Sequence, residues 1–303
     1  MIKIVYMGTP HYAKEILQTL IDDEKIEIPL VITQPDRKAG RKGELKAPDV
    51  KKLALEQGLN ILQPEKLSDE GIYEAIVDAK PDFIVVAAFG QLLPKSILDI
   101  APSINLHASL LPKYRGASPV QQSLLNGDKF TGVTAMLMEE GLDSGPILGY
   151  RYFKIPETML LPELMNRLSD DACALTTDII HKFESIAPME QVRAMATHCK
   201  KIKKTDGLVD LTSAFKLYEK YRAFHGWPGI FLENGTKLTN INLIERTAQN
   251  NMGEILDLRD ESIVLACAEG SLEIGTIQPI SKKAVSAKAY CVGRGLKVGN
   301  SLF

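Results

Sequence analysis

Hydrophobic positions in the first half of the chain follow two alternating rhythms. Near-continuous apolar runs lie at 2–7 (I-K-I-V-Y-M), 28–33 (I-P-L-V-I-T), 82–87 (D-F-I-V-V-A) and 103–107 (S-I-N-L-H). Between and after them come stretches with apolar residues at helical spacing, at 11–21, 47–57, 70–79 and 119–126. Runs of the first kind read as strands buried on both faces, and the second as amphipathic helices covering them. This alternation predicts a doubly wound (Rossmann-like) α/β domain with a mostly parallel sheet. Two further strands, at 131–138 and 147–155, and a long amphipathic helix at 162–183 complete it. From 207 the texture changes. After a helix at 215–224, short β-like runs recur between Gly and Asn turns, which predicts a small antiparallel, OB-like β-barrel. The expected division is 1–189, a linker at 190–206, and 207–303. Trp227, in H-G-W-P-G, reads as core in preference to a base-stacking platform, and His181 as a cation at a helix C-terminus.

Composition narrows the class. With 303 residues, 45% hydrophobic and 24% charged, the chain can bury sizeable cores in two domains. A net charge of -2 gives no global signal for nucleic acid, so such a partner must be met by a local basic patch. One stands out: 34–52, which opens with a Pro- and Gly-containing loop at 34–46, holds seven basic residues against three acidic. On charge alone a solvated loop is an equal reading. A second cluster, Lys200, Lys201, Lys203 and Lys204, sits in the expected linker, whereas 206–303 balances eleven basic with eleven acidic residues. The four cysteines are scattered without zinc or C-x-x-C spacing, so no metal is expected and reduced thiols in a cytoplasm are. Met1 runs directly into a strand-like segment, leaving no room for a targeting peptide. No run reaches the length of a membrane span. A monomer is expected.

Candidate chemistry centres on 103–112, S-I-N-L-H-A-S-L-L-P. Asn105 and His107 are two apart, so in a strand they project to one face. Asp143 follows in G-L-D-S-G-P, at the end of the next strand. An Asn amide donates without titrating, and a His moves a proton near neutral pH. An Asp behind the imidazole would fix its tautomer and favour the imidazolium. The trio can therefore stabilise an oxyanion and transfer a proton with neither metal nor covalent nucleophile. On spacing alone, a core histidine and a turn aspartate remain equally open. At the end of the 82–87 strand, Gly90 permits close backbone approach, and Phe89 and Leu92 offer apolar surface. The G-T-P turn at 8–10 is not a dinucleotide fingerprint.

The run I-N-L-H-A-S-L-L-P-K-Y-R-G-A-S-P with G-L-D-S-G-P, and V-A-A-F-G-Q-L-L-P at 86–94, closely resembles the active-site signature of the 10-formyltetrahydrofolate-dependent formyltransferases. The resemblance runs from M-G-T-P at 7–10 to Q-P-I-S-K-K-A-V-S-A at 278–287. It implies formyl transfer from 10-formyltetrahydrofolate as donor cosubstrate, with Asn105, His107 and Asp143 catalytic. It places Phe89, Gly90, Gln91, Leu92, Ser109, Leu110, Leu111, Pro112 and Gly141 around the folate. The loop V-I-T-Q-P-D-R-K-A-G-R at 31–41 resembles that of members acting on methionine carried by initiator tRNA. It implies tRNA contacts at Arg37, Arg41 and Lys42. Set against that loop, the linker lysines, Lys203 and Lys204 among them, read as a second jaw, with plain solvation as the alternative. A member acting on a small amine, or a formyltetrahydrofolate hydrolase, would share the trio but needs neither basic loop nor second domain.

Overall fold

The computed structural model describes residues 1–39 and 43–302, with Ala39 by its backbone alone. The expected contacts Arg41 and Lys42 lie outside the described residues. The chain forms two compact units: 1–119, 129–155 and 163–200 in the first, and 120–128, 156–162 and 201 onward in the second. Two short segments from earlier in the chain thus join the C-terminal unit.

The first unit is built on a seven-stranded sheet, in the order Ile147–Lys154, Phe130–Leu137, Ser103–His107, Phe83–Ala87, Ile2–Gly8, Ile26–Ile32, Ile61–Leu62. The last five run parallel, and Phe130–Leu137 is antiparallel to both its neighbours. The chain starts mid-sheet, builds outward through 26–32 and 61–62, then returns to the other side of its first strand. That reversal, between Ile2–Gly8 and Phe83–Ala87, is where such sheets open a crevice at the strands' carboxyl ends. Gly8 stands there because a Cβ would come within 2.7 Å of Ala13 Cβ and 3.1 Å of the Ala87 carbonyl. Its absence lets helix His11–Ile21 begin at once. Thr9 Oγ1 donates to the Phe89 carbonyl at 3.1 Å and ties the two crevice loops together.

Val5, Met7, Ile84, Val86 and Phe89 belong to the core cluster under this edge, each fully buried side chain contributing about 1.5–3 kcal/mol. On the helix Leu161–Lys182 the buried Leu164, Leu168, Leu175 and Ile179 recur at helical spacing. Leu175 and Ile179 lie over Gly149 of the edge strand. His181 is more than a helix-end cation: its Nε2 is 2.6 Å from Asp23 Oδ2, a side-chain partner that helix periodicity does not reveal. The loop expected at 34–46 contains a hairpin, Arg37–Ala39 against Glu44–Lys46. The expected linker is divided as well, for His198–Cys199 pairs in parallel with Arg115–Gly116 of the first unit.

In the second unit, Lys237–Gln249, Glu269–Gln278, Ile263–Ala266 and Ile255–Leu258 form an antiparallel sheet, with Val285–Ser286 added to Glu269–Gln278. Leu238, Ile241, Leu265, Leu272 and Ile274 fill its inner face. On helix Ala214–Ala223, buried Arg222 pairs with buried Glu219 at 2.7 Å and donates to the carbonyls of Pro156 and Met159 at 2.9 and 3.0 Å. This gathers 156–162 into the unit. Trp227 is 59% exposed, contrary to the core expectation. Gly226 and Gly229 flank it in left-handed turns, and Phe224, 1% exposed, takes the core position instead. Among the described residues no helix is long and apolar enough to cross a membrane.

Candidate active site

Strand Ser103–His107 lies between a parallel neighbour and an antiparallel one, with Asn105 opposite Val86 and Met136, and His107 opposite Thr134. The period of two puts Asn105 and His107 on one face. The chain then turns through 109–112, where Thr134 Oγ1 donates to the Ser109 carbonyl at 2.6 Å and accepts from Leu111 N–H at 3.1 Å. From the other side, the turn after Phe130–Leu137 delivers Asp143 in a left-handed conformation, φ 49°. Aspartate tolerates that conformation better than most residues, because its short polar side chain can bond locally.

The three side chains meet. Asp143 Oδ1 accepts from Asn105 Nδ2 at 3.3 Å, Oδ2 accepts from the Gly116 N–H at 2.7 Å, and Oδ2 lies 3.7 Å from His107 Nδ1. The opposite ring nitrogen, Nε2, is 3.0 Å from the Tyr114 carbonyl, which fits a donated Nε2–H. His107 is 6% exposed and its orientation is therefore fixed by packing as well as by these bonds. Tyr114 is itself left-handed, φ 62°, and its N–H donates to Thr197 Oγ1 at 2.9 Å. Chemically the group offers an amide N–H donor and a ring nitrogen beside a carboxylate, at a strand end.

Burial pushes the Cys199 thiol up, with the nearby Asp143 charge adding to it. Cys199 is thus an inert thiol whose Sγ reaches the Tyr114 carbonyl at 3.3 Å. Burial likewise raises the Tyr12 phenol, which donates to the Leu106 carbonyl at 3.2 Å and steadies the strand. Among the described residues no group of His, Cys, Asp and Glu is arranged to hold a metal.

The remaining expected residues are distributed as follows. Gly90 and Leu92 are exposed at the end of Phe83–Ala87, while the Phe89 ring is buried in the core cluster and offers no face to a ligand. The strand ends at Ala87, and Ala88, left-handed at φ 42°, redirects the chain so that the apolar surface expected of Phe89 goes to the core instead. Gln91 is turned toward 64–67, accepting from Leu67 N–H at 3.1 Å. Ser109 and Leu111 are buried, Leu110 and Pro112 half-buried, and Gly141 is exposed beside Asp143. Arg37 makes an exposed ion pair with Glu65 at 3.2 Å. Lys203 and Lys204 are exposed in the second unit. Sequence reading missed Thr134, Thr197, Cys199 and Gln191. Their only signal was polar or sulfur side chains in otherwise strand-like or connecting segments.

Fold and site together define a two-domain α/β enzyme whose trio suits transfer of a carbonyl-bearing group. The chain belongs to the formyl transferase family: the profile described as formyl transferase matches residues 2–180, and that described as formyl transferase, C-terminal domain, matches 201–295. It is 59% identical over 300 residues to a methionyl-tRNA formyltransferase of a Sulfurovum species, covering 99% of each chain. It is 51% identical over 303 residues to one from a Nitratiruptor species, covering 99% of this chain and all of the relative. Among solved structures it is similar to the N-formyltransferase of Helicobacter canadensis in complex with folinic acid and dTDP-3-aminofucose. The TM-score is 0.67 at 18% identity, over 90% of this chain and 98% of that one.

Proposed function

We propose that this chain transfers the formyl group of 10-formyltetrahydrofolate to the α-amino group of methionine on initiator tRNA, acting as a cytoplasmic monomer. What carries the reading is the convergence of Asn105, His107 and Asp143 at one strand end, in a chain similar along its whole length to proteins of that name. The free amine attacks the formyl carbon, a C–N bond forms, and the carbonyl π pair moves onto oxygen. Asn105 has a second amide N–H beyond the one given to Asp143, and that N–H serves the oxyanion. Because His107 Nε2 faces the Tyr114 carbonyl, Nδ1 is the nitrogen that serves the reacting centre. The doubly protonated ring donates there, with the Asp143 carboxylate as counter-charge. As the tetrahedral species collapses, the C–N10 bond breaks, the amine proton leaves by way of Asp143, and N10 takes up a proton. The products are N-formylmethionine on tRNA and tetrahydrofolate.

Folate lies, on this reading, between the 89–92 and 109–112 turns with Gly141 nearby, and the acceptor stem meets Arg37, Arg41, Lys42, Lys203 and Lys204. The direct test offers 10-formyltetrahydrofolate with charged initiator tRNA, charged elongator tRNA, a small ribonucleotide amine and buffer. Formyl-methionine formed with charged initiator tRNA alone is expected. Deformylation without acceptor, or transfer to the small amine, would replace the tRNA part of the reading. Asn105→Ala, His107→Ala and Asp143→Asn should each lower turnover by at least about 10²-fold while leaving the circular dichroism unchanged. Near wild-type turnover in His107→Ala would remove the catalytic assignment.

A further inference from the structure

One residue that holds Asp143 in its left-handed turn comes from the segment that follows the long helix. Gln191, 7% exposed, donates its Nε2 to two carbonyls of that turn, Asp143 O at 3.0 Å and Gly145 O at 2.8 Å. Its Oε1 accepts twice from buried Arg115, from Nε at 3.1 Å and from Nη2 at 2.7 Å. The guanidinium fixes which end of the amide faces the turn, for only the oxygen can accept from it. It also polarises the amide and makes Nε2 the stronger donor. Arg115 precedes Gly116, whose N–H binds the Asp143 carboxylate, so one buried unit grips this aspartate at both its backbone and its side chain.

We propose that Gln191, oriented by Arg115, is a positioning residue for the formyl-transfer reaction: it sets the Asp143 turn and, through it, the spacing between the Asp143 carboxylate and His107 Nδ1. The inference rests on the catalytic reading of Asn105, His107 and Asp143 given above. Gln191 touches no reacting atom. Its effect belongs in kcat, because displacing a group that acts in the transition state by about 1 Å can cost on the order of 10²-fold.

Two substitutions separate positioning from packing. Gln191→Leu removes both functions of the amide. Gln191→Glu keeps an acceptor for Arg115 but has no N–H to give, so it sets a carboxylate oxygen against the two carbonyls. Both should lower kcat by about 10–100-fold, with KM for the folate and for charged tRNA held within about 3-fold. Rates are expressed per folded molecule, from denaturant curves run alongside, and Gln191→Glu decides alone if the leucine variant does not fold. Wild-type kcat in Gln191→Glu, a loss confined to KM, or lowered stability with kcat per folded molecule intact would each overturn the proposal. His107→Ala in the same assay separates the two levels. If it is inactive while the Gln191 variants turn over normally, the positioning role alone falls. If it is active, the catalytic reading falls first.

Discussion

Gly116 carries more of the site than its size suggests. Its N–H donates to Asp143, its φ is 118°, and a Cβ there would lie 2.3 Å from the Cys199 carbonyl oxygen. Backbone cannot yield as the end of a flexible side chain can, so Gly116→Ala must push apart the 115–116 and 198–199 pairing or abandon the conformation. A loss of roughly 2–4 kcal/mol in stability is expected. It should appear in a urea midpoint, together with reduced turnover per folded molecule; a wild-type midpoint would contradict it. At this scale much was legible in advance. Asn105 and His107 share a face because strands have a period of two, and Asp143 falls in a Gly-flanked turn at the next strand's end. Gln191 and Cys199 were not legible. Their partners lie 76 and 84 residues away in sequence, at Arg115, and no local periodicity records a segment that folds back to a distant turn.

Among the elements, the alternation of buried runs and amphipathic helices was enough to place the parallel sheet, since each element is specified by its own pattern. Exceptions arose where a residue's neighbours came from elsewhere. R-K-A and E-L-K, at 37–39 and 44–46, look structureless singly yet pair with one another in a hairpin. The C-terminal end of helix Leu161–Lys182 is similar, because His181 bonds to Asp23 beyond the end of another helix. The Asp23 carboxyl is held below the usual aspartate range, first by the His181 hydrogen bond and then by the Lys25 N–H. With the folded pKa below the unfolded one, the stabilisation is in place above the unfolded value of about 4 and is lost as pH falls through the depressed folded value. His181→Ala should therefore cost about 0.5 kcal/mol at pH 5, the scale of a partly solvated pair. Its difference from wild type should shrink as urea curves are taken below about pH 4. A gap that widened with acid would mean that His181 acts through something other than Asp23.

Over the whole molecule, charge is nearly balanced, with a net of -2 in 303 residues and no excess of either sign across 206–303. Long-range attraction from a broadly basic surface is thus not available to an RNA partner, and affinity must come from a few concentrated cations. Lys203 and Lys204 fit that need. Both are exposed, and neither makes an ion pair among the described residues, so their charges are not already spent on a neighbouring carboxylate. Arg37, by contrast, must first leave Glu65, though an exposed pair of that kind holds it by less than about 1 kcal/mol. Each lysine that neutralises an RNA phosphate releases condensed counterion and steepens the fall of log K with log salt by about 0.7–0.9. The double variant Lys203→Ala/Lys204→Ala should accordingly bind charged initiator tRNA more weakly at low salt, with the slope reduced by about 1.5. The folate KM and the kcat at saturating tRNA should be preserved, since the trio and its supports lie in the first unit. An unchanged slope would assign the two lysines to solvation and leave the 34–52 segment as the main source of phosphate contacts. Altered kcat at saturation would instead mean that these lysines do more than hold the tRNA.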